Sequence, residues 1–231
     1  MDAGAPARDL ALEVALSVDP DLGAAGDEAP ARACEPGEPG SEEPPGEPAP
    51  PRGAPWLPDE AFVAEWAGRA VRAALDADGA VPDARRGGRG PLIVELSVRL
   101  AGTGESRTLN REHRGRDRAT NVLSFPSGLP ALAGAEAGDA DEGPEVAGAP
   151  VLVALGDLVL CPEVVRREAA EQGKAEPAHW AHLVVHGTLH LLGLDHEEAE
   201  AAAGMEAAEV RLLSAAGLPD PYRAVPDEAQ R

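Results

Sequence analysis

The chain has one lysine, one tyrosine, two phenylalanines and two cysteines among 231 residues. Cys34 and Cys161 are too few for a disulfide framework and lack the CxxC spacing of a metal site. They fit a reduced, cytoplasmic setting. No apolar run reaches the roughly 18–20 residues needed to cross a membrane. The first residues, MDAGAPARDLALEVALSV, have no basic start and no small-residue cleavage site, so they do not read as a secretory signal. Bases are scarce as well: 20 Lys and Arg stand against 41 Asp and Glu, a net charge of −21.

Such a charge argues against nucleic acid as a partner, but its distribution weakens the objection. Residues 1–50 carry twelve acids and two arginines, and residues 127–150 carry five acids and no base. Between Arg85 and Arg118 the sign reverses, with nine arginines against four acids. An acidic chain with a local arginine cluster can still hold an anion there.

What is present is enough for one core: 43% of the residues are hydrophobic, and a single domain over 1–231 is expected. DLALEVALSV (Asp9–Val18) alternates at period two and predicts a strand with one buried face. The Pro/Gly/Glu-rich segment at 21–53 follows, with almost no large apolar residue. It cannot bury enough surface to offset its ordering entropy and reads as a disordered insertion within the domain. An amphipathic helix is expected over Leu57–Gly79, with Phe62, Trp66, Ala70 and Leu75 near one stripe. LIVELSVRL (Leu92–Leu100) predicts a strand with Val94, Leu96, Val98 and Leu100 inward. Asn121–Pro126 is a short strand, and an acidic loop spans about 127–150. Val151–Leu160 is an apolar strand whose glycine marks a bulge or a close approach. Three helices follow: one opened by Pro162, one opened by Pro177, and one over about Glu197–Ala216. Strands and helices do not alternate strictly, which favours an α+β fold with a small mixed sheet.

HLVVHGTLHLLGLDHEEAE, from His182, holds four of the six histidines. His186 and His190 are four apart and share a helix face, so both can reach one ion. Gly193 can end the helix in a left-handed turn and return the chain, bringing His196 to the same point. Three histidines with one position open is how catalytic zinc is held. His182, one turn earlier on the same face, could replace His196 as a ligand, but more readily supports the ligands from behind or faces the cleft. His179 lies nearer the exposed helix start and has no assigned role. Trp180, Leu183, Val184 and Leu191 read as core. The spacing resembles the metallopeptidase motif HExxHxxGxxH, but Gly187 stands where the peptidase has its glutamate base.

The arginine stretch RTLNREHRGRDRATNVLSFP (Arg107–Pro126) reads as a loop, and for most of its arginines a solvated face is the plainer account. LNREHRGRDRATNVLSFP, LGDLVLCPEVVRREA, HWAHLVVHGTLHLLGLDH and GLPDPY, in this order, resemble the successive signatures of the YbeY family of bacterial endoribonucleases and rRNA maturation factors. The resemblance covers about Asp9–Tyr222, apart from the two acidic insertions and the stretch near Val81–Gly90. It implies a zincin-like fold, one zinc on His186, His190 and His196, and cleavage of single-stranded RNA in 16S rRNA 3′-end maturation and ribosome quality control. The family's functional arginine falls on Arg114. His113 stands where an aromatic is commoner, and the insertion at 21–53 departs from the family's pattern.

The chemistry expected is phosphodiester hydrolysis. Arg114 would clamp a phosphate oxygen, and Asp195, His182 or the RNA's own 2′-hydroxyl would serve as base. The expected partners are single-stranded RNA, rRNA and the ribosome, with no membrane and no DNA. Two other readings compete: a metallopeptidase-like hydrolase, which Gly187 opposes, and a non-catalytic zinc-stabilised module on the ribosome, which a fourth ligand such as Cys161 would support. Deleting Glu28–Pro51 is expected to leave the melting temperature and metal content unchanged. A large fall in melting temperature would show that the segment packs on the core.

Overall fold

A computed structural model describes residues 10–20, 22, 56–76, 91–128, 151–194 and 199–223. Apart from Leu22, the insertion at 21–53 lies outside the described residues, and so does the acidic loop from 129 to 150. Asp195 and His196 lie outside them too.

Strands β1 (Leu10–Val18), β2 (Leu92–Leu100), β3 (Val122–Pro126) and β4 (Val151–Leu160) form one sheet in the order β1-β2-β4-β3. β1, β2 and β4 run parallel, and β3 closes one edge antiparallel to β4. Parallel neighbours need long crossovers, and helix α1 (Glu60–Asp76) supplies the first, between β1 and β2. Helix α2 (Thr103–Arg114) follows β2. Helices α3 (Pro162–Glu171), α4 (Glu176–Leu191) and α5 (Ala199–Ala215) follow β4. The small mixed sheet is as expected.

The main core lies on one face of the sheet. Val94, Leu96, Val98 and Leu100 of β2 point into it, the inward set the alternation predicts, and Leu92 joins them. α1 meets them with Val63, Trp66, Ala67, Ala70, Val71 and Ala74. That is the 3-and-4 spacing of a helix face, shifted slightly from the expected stripe, because Phe62 and Leu75 are only partly buried. Asp59 starts the helix, its Oδ1 accepting the Phe62 N–H at 2.8 Å. α4 is buried along most of its girth, with Trp180, Ala181, Leu183, Val184, Val185, Leu189 and Leu191 in the same cluster.

The other face carries a small second cluster of Ala101, Leu123 and Val159, with Leu109 and Phe125 packed against it. Leu109 comes from α2, and this helix corrects the reading of the arginine stretch as a loop through Arg114. Its buried side chains are Ser106 and Asn110, both polar, so no hydrophobic period announces it. They hold the loop that follows. Ser106 Oγ donates to the Thr120 carbonyl at 2.9 Å and accepts the Thr120 N–H at 3.0 Å. Asn110 Nδ2 donates to the Arg118 carbonyl at 2.7 Å. The rest of the stretch, from Gly115, is the loop into β3.

Gly156 marks both a bulge and a close approach. The β2–β4 register slips by one between Glu95 and Leu96, and Leu155 is the extra residue. Gly156 has φ +125, and a Cβ there would lie 2.1 Å from the Phe125 carbonyl oxygen. Gly156→Ala is therefore expected to destabilise the fold by at least about 3 kcal/mol, from backbone strain plus the clash. Gly217→Ala isolates the strain, because Gly217 has φ +79 but open space around it. It should cost only about 1–2 kcal/mol. Urea denaturation of the two variants checks this; equal losses would show that the approach of β3 to β4 is not limiting.

Candidate metal centre

α4 carries a stripe of four histidines along one side. Successive ring centroids lie 6.2 Å apart from His179 to His182, 6.0 Å from His182 to His186, and 4.7 Å from His186 to His190. The helix stops where the sequence indicates. Gly193 has φ +87, its N–H reaches the His190 carbonyl at 3.0 Å, and the Leu194 N–H reaches the Leu189 carbonyl at 3.1 Å. This pair of bonds is the Schellman stop.

Gly187, the residue after His186, lies about 100° around α4 from it and faces the sheet. It is buried, and a Cβ there would meet Leu158 Cδ2 at 2.7 Å and Val122 Cγ2 at 3.3 Å. The helix sits so close to the sheet that this position has no room for a side chain without displacing Leu158. Packing, then, accounts for the glycine where a peptidase would need its glutamate. Ser124 of β3 adds a polar tie, its Oγ donating to the Gly187 carbonyl at 3.3 Å.

Two of the histidines meet a residue that the sequence reading did not single out. Glu209 of α5 is fully buried. Its Oε1 lies 2.9 Å from His186 Nδ1, and its Oε2 lies 2.8 Å from His182 Nε2. Tyr222 also donates its hydroxyl proton to Oε2. A carboxylate is acceptor-only, so both imidazole nitrogens facing it carry protons. Burial alone would raise the Glu209 carboxyl pKa, but the bonds from His182, His186 and Tyr222 outweigh it and hold the group at about 2. Burial pushes the His182 pKa below its ordinary value despite the adjoining carboxylate, so His182 stays neutral near pH 7. Burial and the same carboxylate push the Tyr222 phenol up, which keeps it a donor.

One ligand atom from each of His182, His186 and Glu209 lies within 4.8 Å of the other two, so this group can hold a metal ion. The atoms that face each other are spaced for protons, however. Ligands about 2.0–2.1 Å from a tetrahedral zinc stand about 3.3–3.4 Å apart, wider than the 2.8 and 2.9 Å found here. With Nδ1 of His186 bonded to Glu209, Nε2 is the nitrogen through which His186 would bind an ion.

Other expected positions fall as follows. His190 is half-buried with its ring against His186. His179 is not exposed: it is 3% accessible, and its Nε2 lies 3.1 Å from Glu168, which also accepts from Asn121 at 2.9 Å. Burial opposes a charge on Glu168, but those two bonds still lower its pKa. They join α3, α4 and the start of β3. Cys161 is buried at the start of α3, and burial pushes its thiol up to about 12. It is no part of the histidine group.

Arg114 is the last residue of α2 and is exposed. Arg107 is chelated by Asp117 at 2.8 and 2.7 Å, with Arg111 at 3.7 Å from the same acid. Arg99 is chelated by Glu105 at 2.7 and 2.9 Å. No hydrogen bond or ion pair engages the Arg114 guanidinium among the described residues. His113 packs edge-on against Phe125 at 4.9 Å, filling the place of the commoner aromatic.

Glu209 left a faint signal in the sequence. Met205, Glu209 and Leu213 are the buried residues of α5 among those described, four apart. A carboxylate in the middle of an apolar stripe needs a partner, and the histidine helix is the nearest source of donors.

The family model for Endoribonuclease YbeY matches residues 62–217. The Endoribonuclease YbeY of Halorhodospira halophila is 55% identical over 129 residues, 56% of this chain and 75% of that protein. That of Alkalilimnicola ehrlichii is 48% identical over 167 residues, 72% of this chain and 83% of its own. That of Alcanivorax borkumensis is 42% identical over 178 residues, 77% and 85% respectively. The solution structure of TM1509 from Thermotoga maritima aligns with 72% of this chain and 95% of that one, at a TM-score of 0.38 and 21% identity, too slight a likeness to argue from. With a family match across most of its length, the chain belongs to the YbeY family of endoribonucleases.

Proposed function

We propose that this chain is a cytoplasmic, zincin-like, zinc-dependent endoribonuclease that cuts single-stranded RNA during 16S rRNA 3′-end maturation and ribosome quality control. Its metal ligands are His186, His190 and His196. The observation that carries this reading is the orientation of His186. Nδ1 is bonded to Glu209, so Nε2 is the nitrogen that would meet an ion, and the His190 ring stands 4.7 Å from that of His186, one turn further along α4. Zinc bound there supplies a positive charge, uncompensated by three neutral imidazoles, that polarises a phosphoryl oxygen and acidifies water.

The chain's own groups do the rest. Arg114 binds phosphate, because its planar guanidinium has no carboxylate to satisfy it among the described residues. Of the candidate bases, His182 fits least. Its Nε2 donates to Glu209, and its Nδ1 is buried with no hydrogen-bond partner. Asp195 and the RNA's 2′-hydroxyl remain the candidates for proton removal. A peptidase reading has no base at Gly187 and no space for one. A non-catalytic zinc module loses its suggested fourth ligand, because Cys161 is a protonated buried thiol apart from the histidines.

The purified chain should bind about one zinc, and His190→Ala should lose most of it. Full zinc content in that variant, by elemental analysis, would overturn the ligand set. Arg114→Ala should keep both zinc and fold yet slow single-turnover cleavage of a short single-stranded RNA by about 10²–10³-fold, the scale of losing a fixed charge partner in a transition state. Arg114→Lys should recover only part of the loss, since an ammonium keeps the charge without the planar fork. Near-wild-type rates in Arg114→Ala would return the residue to the solvated surface.

A further inference from the structure

The histidine stripe is held from behind. Glu209 is 23 residues along the chain from His186 and 27 from His182, and it is the buried polar residue of α5 among the described ones. Its two oxygens take three protons: Oε1 from His186, Oε2 from His182 and Tyr222. A free imidazole exchanges its single proton between Nδ1 and Nε2. A carboxylate fixed 2.9 Å from Nδ1 ends that exchange by favouring the proton on Nδ1.

We propose that Glu209 is a positioning residue that locks His186 in the Nδ1–H tautomer and orients its ring, so that Nε2 is ready for the metal. This rests on the reading of His186 as a ligand. His182 takes part as a brace rather than as ligand or base. Its ring stands 5.5 Å from that of Tyr222, edge to face, and both give a proton to the same oxygen.

The brace has its own anchor. The Tyr222 N–H donates to Asp220 Oδ1 at 3.0 Å, which shapes the turn carrying the ring. Lys174, the single lysine of the chain, donates from Nζ to the Pro221 carbonyl. Lys174 lies in the connection between α3 and α4, so it ties the Tyr222 turn to the element before the histidine helix. Met205 and Leu213, one turn on either side of Glu209, pack in the core and fix the carboxylate's depth and direction.

The test compares wild type with Glu209→Gln, Glu209→Ala, Tyr222→Phe, His186→Ala and His190→Ala. Two quantities are read: zinc affinity, by competition with a chromophoric chelator, and the His186 tautomer in the metal-free chain, by long-range nitrogen–proton NMR. Glu209→Gln should weaken zinc by about 10–100-fold, the usual effect of removing a histidine's outer partner, while still binding one ion at saturation. The wild type should show His186 protonated on Nδ1, and Glu209→Gln should show a mixture. Tyr222→Phe should move both in the same direction by less, and it keeps the buried carboxylate if the Glu209 variants fail to fold. A merely structural Glu209 would lower the melting temperature but leave the affinity within twofold and the tautomer unchanged, which overturns the proposal. If Glu209→Ala abolishes zinc at saturation while His190→Ala keeps it, Glu209 is itself a ligand and the proposal is equally overturned. Full zinc in His186→Ala would sink the underlying ligand reading, whatever Glu209 does.

Discussion

The seating of α4 on the sheet is the constraint from which the site follows. At Gly187 the helix comes so near β3 and β4 that even a methyl group would press on Leu158 and Val122. That contact fixes the helix in depth. The buried residues around it, from Trp180 to Leu191, fix it in rotation. A helix so held cannot turn its histidine side elsewhere, and that side meets α5. An error of one residue in the packing would rotate the stripe by about 100° and take His186 away from Glu209. The precision of the site is thus a property of the core, with the polar contacts trimming what the packing has already aimed.

The polar contacts also resolve an electrostatic difficulty. A buried carboxylate is costly unless it is paired and hydrogen-bonded, and here three donors surround Glu209: two imidazoles and a phenol. Those bonds hold the Glu209 carboxyl well below the usual carboxylate range, so the negative charge is retained. A retained negative charge behind His186 makes that ring a better electron donor toward a cation. Glu168 with His179 and Asn121 repeats the device one helix away, where its effect is to join α3, α4 and β3. The two carboxylates serve one histidine stripe, Glu168 bracing the helix start and Glu209 bracing the centre.

Much of the frame was legible in the sequence, because apolar periodicity reports burial directly. β2 and β4 have the ends that alternation and apolar runs indicated, and Gly156 sits at a bulge. α2 was not legible. Its inner side is Ser106 and Asn110, whose partners are backbone groups of the loop at 118–120, and a pattern of apolar residues cannot show a hydrogen bond to a distant carbonyl. Glu209 was hidden for a related reason. Glutamate in a helix usually faces water, so its place between Met205 and Leu213 is a faint signal that only the meeting of α5 with α4 makes plain. The paired histidines at 186 and 190 were plain because a four-residue spacing is itself geometry. The proximity of His182 to the centre was plain on the same ground, but its partner was not.

An acidic chain must still present positive charge to RNA, and the arginine region does so by sorting its cations. Asp117 faces Arg107 and Arg111, and Glu105 faces Arg99, so three of the arginines are matched by acids within the fold. These pairs stiffen α2 and its loop, and being exposed they add little stability each. Arg114, Arg116 and Arg118 have no acid against their guanidinium groups among the described residues, and all three are exposed. They lie at the end of α2 and in the loop leading to β3. β3 in turn is the strand bonded to α4 through Ser124 and the Gly187 carbonyl. Net charge is therefore the wrong quantity for judging this surface. What an approaching phosphate meets is the local remainder after pairing, and that remainder is positive on the segment that leads into the strand beneath the histidines.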